Sequence, residues 1–385
     1  MIYSFGAKNF YSFKDGFDVS FELNSKVPKS VSMGLKVSPV MGIKGGNASG
    51  KTHILKMLQC LSHFCTRSFT FDRDYIFLES YYGNNKPTEF YVDFMSNDIR
   101  YIYELKATKD KVIREAIYKK VSRKTLLIER TENKLTKTTS DFDPLSVIIL
   151  KSSASLIDTV PQYNLSNIPN DLSNIHSFFK AIYGNVSAAG VMDDKDFYDY
   201  KSVNEIYHKV PNAFEFAKQI LINSDLGIAD IKLHERENEK GEVEHFPIFY
   251  HNYKNTTDKY LTFWHQSDGT RALYRRLQAY YRALSTGGIL VMDEFDTNYH
   301  PDLLPQLLDL FLDPKINTRG AQFLFTSHNL EIIDHLGKYR TILVSKDEGE
   351  SYCYRLDEIP GDIIRNDRPI SPLYREGKLG GVPKL

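Results

Sequence analysis

The stretch "GIKGGNASGKTH", Gly42 to His53, fits the pattern Gly-x4-Gly-Lys-[Ser/Thr] through Gly45, Gly50, Lys51 and Thr52. Its flanks supply the context this pattern needs. Val40 to Ile43 form a short apolar run that predicts a strand, and Ile54, Leu55, Met57, Leu58 and Leu61 recur at helical spacing. In a bare turn between a strand and a helix, consecutive backbone N–H groups can converge on one anion, and the helix points its positive end at the same place. Gly45, Gly46, Asn47, Ala48, Ser49, Gly50, Lys51 and Thr52 are therefore the candidate cradle for a triphosphate. Lys51 would reach the β- and γ-oxygens, and the Thr52 hydroxyl would ligate magnesium.

Three later stretches bear on the same chemistry. "GGILVMDEFD", Gly287 to Asp296, is an apolar run ending in Asp293 and Glu294. The carboxyl end of a buried parallel strand opens into the ligand crevice, which makes Asp293 a candidate magnesium ligand and Glu294 a candidate general base. "WHQSDGTRALYRRL", Trp264 to Leu277, opens a predicted helix with Ser267, Asp268 and Gly269. This is ordinary N-cap chemistry, or a second anion site one helix upstream of the acidic strand. "AQFLFTSHN" carries a strand to His328, which is either a structural histidine or one placed to reach a γ-phosphate and its water. His300, beside Pro301, reads as a turn residue before a helix.

The 385 residues, 42% apolar and 25% charged, suit a folded protein with more than one lobe. The sequence shows neither an eighteen-residue uncharged apolar run nor a secretory leader, so the expectation is a cytoplasmic protein with no membrane span. Cys60, Cys65 and Cys353 have no CxxC spacing, which argues against a disulfide framework or a zinc site. Positive and negative charges balance, so nucleic acid, DNA or RNA, would need a local patch. Lys106 to Lys137, with Tyr101, Tyr103 and Tyr118, is such a patch or else a solvated sheet face.

Alternating residues up to Leu23 predict a hairpin about Lys14-Asp15-Gly16, and Glu89 to Glu129 predict an antiparallel sheet. "PLSVIILKSS", Pro144 to Ser153, reads as a buried strand. Residues 164–223 are polar with helical patches and read as a helical insertion between 1–163 and 224–385. A hairpin with a charged tip follows, and helices and strands then alternate from Thr270 to Ser345. The fold class expected is α/β, with an antiparallel lobe, a parallel core and the insertion.

Taken together, "NFYSF", "GGNASGKT", "SDGT", "ILVMDEFD", the "HP" that follows, "TSH" and "YREGKLGGVP" resemble the ABC/SMC-like ATPases of the AAA15/AAA_21 group, which includes OLD, PtuA and RloA. The resemblance implies an ABC-type P-loop ATPase that binds ATP and Mg2+ between two copies of the chain. Lys51 and Thr52 would bind phosphate and metal, Asp293 the metal, and Glu294 would be the base. Ser267, Asp268 and Gly269 would act in trans, and His328 would be the switch histidine. A lobe-coupling glutamine is not evident; Gln162 is a candidate by location only. The resemblance further implies a phage-defence sensor that controls a separate effector, a nuclease, since only about forty residues follow "LVSKDEGE". A RecF- or SMC-like repair ATPase and an ATP-held scaffold with little turnover are the alternatives.

Overall fold

The computed structural model describes residues 1–70, 75–163, 168–187, 190–192, 198–224, 227–253, 256–361 and 363–381. Its centre is a six-stranded sheet in the order 350–355, 341–347, 40–45, 322–326, 289–292 and 182–184. All neighbours are parallel except the 350–355 edge strand. The apolar runs read as strands because both faces are covered, so no polar alternation is needed. Successive side chains point to opposite faces. Met41, Ile43, Ile289, Val291 and Leu324 accordingly join one core with Ile54, Leu55, Leu58 and Leu61 of the helix Lys51–Arg67. Val40, Leu290, Met292, Phe323 and Phe325 join a second core with the helices Asp268–Thr286 and Leu303–Leu312.

The first core also seats a seven-stranded antiparallel sheet, from 17–20 and 2–8 through 88–96 to 134–138. The expected hairpin is present, with Ser4 opposite Ser20 and Ala7 opposite Phe17. This sheet decides the reading of the lysine-rich segment. Lys106 pairs with Glu89, Lys111 with Glu132, Arg114 with Glu104 and Glu129, and Lys120 with Asp93. Tyr101 and Tyr103 are wholly buried. Its charges are largely matched and two of its three rings face the core, so it is a solvated sheet face rather than an open basic patch.

"PLSVIILKSS" is not a strand: 140–147 is a 3-10 helix and the chain then runs as a loop. Val147 and Ile149 point outward at 71% and 81% exposure. The following turn is held by side chains instead of a ladder. Buried Glu115 accepts from Ser155 Oγ at 2.7 Å and the Leu156 N–H at 3.0 Å, and buried Arg130 donates to the Ala154 carbonyl at 2.8 Å. These charge-assisted bonds satisfy backbone groups that would otherwise be stranded.

Within 164–223 the helices Asp171–Lys180, Tyr200–Lys209 and Pro211–Ser224 are present. Between the first two, however, Ile182–Gly184 is a strand of the central sheet, with Ile182 opposite Ile289. The span is therefore part of the core as well as a helical elaboration. The charged-tip hairpin, 228–237 with 243–253, gains a third strand, Thr256–Thr262, that its polar sequence did not announce. At the end of the described chain, Ile364, Ile370, Tyr374 and Leu379 pack on Leu343 and Ile333.

Candidate nucleotide site

The loop after the strand Val40–Gly45 turns through Ala48 at φ 59° and Gly50 at φ 111° into the helix that begins at Lys51. Gly50 is the N-cap, and a Cβ there would lie 2.9 Å from the hydroxyls of Ser12 and Ser351 in a conformation that disfavours L side chains. At Gly45 a Cβ would meet the Val344 carbonyl oxygen at 2.3 Å. The Lys51 ammonium folds over the loop, donating to the carbonyls of Gly45 at 3.0 Å and Gly46 at 2.9 Å. Burial lowers its pKa, against the opposing pull of Asp293, Glu294 and Asp296.

Across the crevice, Asp293 is 3% exposed at the end of the acidic strand. The Thr52 hydroxyl donates to its Oδ2 at 2.6 Å, and the Thr326 hydroxyl donates to its Oδ1. Its peptide is held by Asn185, whose side chain accepts from the Asp293 N–H at 2.8 Å and donates to the Asp293 carbonyl at 3.0 Å. Glu294 is exposed, with φ 49°, and its N–H donates to Thr326 Oγ1 at 2.8 Å. That left-handed turn separates the two carboxylates: one is held inward beside Thr52 and the other is left open to water.

The Asp296 carboxylate accepts from the backbone N–H groups of His328, at 3.0 and 3.1 Å, and Asn329, at 2.9 Å. The His328 ring is exposed. Ser267 caps the helix Asp268–Thr286, its hydroxyl accepting from the Thr270 N–H at 3.1 Å, and Asp268 pairs with Arg271. Gly269 packs on the loop after the acidic strand, where a Cβ would lie 2.8 Å from the Asn298 carbonyl. Ser267 and Asp268 face solvent. The structure thus gathers Lys51, Thr52, Asp293 and Glu294 in one crevice and presents the Ser267–Gly269 turn outward.

Sequence reasoning missed Asn185. Its only signal was its place after three residues that become a strand on pairing. Gln162 lies elsewhere: it bonds to the Asp158 carbonyl, and Asp158 accepts from the Phe69 N–H past the far end of the Lys51–Arg67 helix. At 1.5 Å per residue that helix separates it from the loop by about 25 Å. An open groove of about 840 Å³, lined by Asp18, Tyr91, Glu104 and Arg114 among others, lies on the antiparallel lobe and includes no residue of the crevice.

The residues fit a magnesium nucleotide. A bare loop leaves no room for Cβ atoms at Gly45 and Gly50, the Ser49 hydroxyl is buried with no hydrogen-bond partner among the described residues, and Thr52 and Asp293 offer the hard oxygen donors magnesium takes. The strand, glycine loop and helix, with the acidic strand beside them, have the arrangement of a P-loop nucleotide site. The AAA_21 family model, described as "AAA domain, putative AbiEii toxin, Type IV TA system", matches residues 40–334, and the chain belongs to this family. Among solved structures, the SMC head domain from Thermotoga maritima is similar at 14% identity and a TM-score of 0.45, over 92% of this chain and 98% of that one. The Pyrococcus furiosus Smc head domain with an extended coiled coil, bound to the C-terminal domain of ScpA, is similar at 13% and 0.47, over 93% and 97%. Comparison with curated proteins gives no match. Among the described residues, no helix is long and apolar enough to cross a membrane.

Proposed function

We propose that the chain binds magnesium-ATP at Gly45 to Thr52 and hydrolyses it, with Ser267, Asp268 and Gly269 of a second copy completing the site. The observation that carries this is the bond from Thr52 to Asp293 with Glu294 open beside it. Loop N–H groups and Lys51 would hold the phosphates, and Thr52 and Asp293 would hold magnesium, which when bound supplies charge neutralisation across the β- and γ-phosphates. Glu294 takes a proton from water as the water oxygen bonds to the γ-phosphorus. The bond from that phosphorus to the bridging oxygen breaks and ADP leaves. His328, whose backbone Asp296 fixes, would turn its exposed ring toward the γ-phosphate. The outward turn at Ser267 supports completion in trans, since a solvent-facing helix N-terminus with a serine cap and a glycine suits an anion held by another subunit.

In this reading the ATP-joined dimer is a switch that controls a separate effector, a nuclease, in bacterial antiviral defence. The resemblance to OLD, PtuA and RloA supports that role. The test is the mass and composition of the Glu294→Gln protein with magnesium-ATP, expressed with its neighbouring open reading frames and purified through this chain. A stable oligomer with a co-purifying nuclease is expected. An oligomer of this chain alone carrying DNA would contradict the switch and favour a repair ATPase.

A further inference from the structure

The strand that leads into the phosphate loop is buried along its length, yet it carries Lys44, which is only 6% exposed. A buried ammonium is costly unless it finds an acceptor. Lys44 Nζ finds the carbonyl oxygen of His328, to which it donates a short hydrogen bond. The same peptide segment is gripped from its other side, because the His328 and Asn329 N–H groups donate to Asp296. Asn329 N–H also lies 3.0 Å from Ser327 Oγ. A cation on the carbonyl and an anion on the amides leave the His328 backbone little freedom, while its ring stays exposed.

The chain's own tail also reaches Lys44. The ammonium stands 5.8 Å from the centre of the Tyr374 ring, and the Tyr374 hydroxyl donates to the Gly381 carbonyl at 2.8 Å. Lys44 is therefore the point where the phosphate-loop strand, the His328 loop and the short tail helix Ser371–Arg375 meet. We propose that Lys44 is a positioning residue that sets the direction of His328, through its carbonyl oxygen, for the hydrolysis inferred above. The inference rests on that reading of His328.

The charged and titratable groups around Lys44 are Asp296 from the loop after the acidic strand, Lys51 from the phosphate-loop helix, Tyr374 from the tail and His328 itself. Burial lowers the Lys44 pKa to about 8, Asp296 raises it and Lys51 lowers it. Above that pH the neutral amine holds the carbonyl more weakly.

The test compares ATP turnover by wild type, Lys44→Met and Asp296→Ala in the full chain, over a range of ATP concentration and pH, with thermal melting as a check on folding. Lys44→Met is expected to lower kcat about tenfold while KM for ATP moves less than about twofold, as for loss of an interaction needed only in the transition state. Asp296→Ala, which loosens the same peptide from its amide side, is expected to show the same split and carries the test should Lys44→Met fail to fold. Wild-type kcat is expected to fall as pH rises through about 8, with no such limb in Lys44→Met. A native-like Lys44→Met with unchanged kcat, or one that raises KM alone, would overturn the positioning role. No turnover by wild type would instead remove the ATPase reading on which it rests.

Discussion

The Thr52 hydroxyl reaches Oδ2 of Asp293 at 2.6 Å although 241 residues separate them. The bond joins the first turn of the phosphate-loop helix to the end of the acidic strand, and it occupies the two oxygens that magnesium would take. Asp293→Asn should therefore keep metal-free nucleotide binding and lose most of the gain that magnesium gives. Calorimetric titration with ATP, in magnesium and in chelator, checks this; an undiminished magnesium effect would remove Asp293 as a ligand.

Lys51→Ala should abolish ATP binding in the same titration. The ammonium now resting on the Gly45 and Gly46 carbonyls is the one flexible cation that the loop offers to phosphate. Binding at wild-type affinity would place the nucleotide elsewhere.

Asn185→Ala would leave both the N–H and the carbonyl of Asp293 without their side-chain partner inside the fold. Stranding two buried backbone groups costs about 2 to 6 kcal/mol. Urea unfolding should show that loss, and turnover should fall with it because Asp293 is no longer aligned. A variant as stable as wild type would mean that water or a neighbour replaces the amide.

Asn185 also shows where the sequence was silent. The phosphate loop, the acidic strand and the strand before His328 were legible because each is a continuous apolar run joined to a polar signature, and their covered faces removed the need for alternation. Ile182–Gly184 is too short to have a period, and only pairing with Ile289–Val291 makes it a strand. Conversely, Val147 to Leu150 looked like a strand because apolar residues are contiguous, but Val147 and Ile149 face water and side chains of Glu115 and Arg130 hold the turn that follows. The third strand, Thr256–Thr262, is polar and was invisible for the opposite reason.

His53 stacks on Tyr11, with ring centres 4.5 Å apart, and shares a 2.8 Å hydrogen bond with Ser12. Burial, with Lys56 and Lys346 nearby, lowers its pKa from 6.5 to about 4. Between those values the unfolded chain binds the proton and the folded chain does not, so stability rises with pH across the window and is lost as pH falls from 6.5 toward 4. His53→Gln should lose less stability over that interval than wild type. Melting temperatures from pH 4 to 7 check it, and parallel curves would show that His53 is not the group responsible.

The most direct measurement is ATP turnover by wild type and Glu294→Gln under saturating magnesium-ATP, with bound nucleotide and molecular mass followed in parallel. The account predicts steady hydrolysis by wild type, and a variant that binds ATP, hydrolyses almost none and accumulates as a dimer. Equal turnover by the two proteins would contradict Glu294 as the base; no turnover by either, with ATP still bound, would make the nucleotide structural glue.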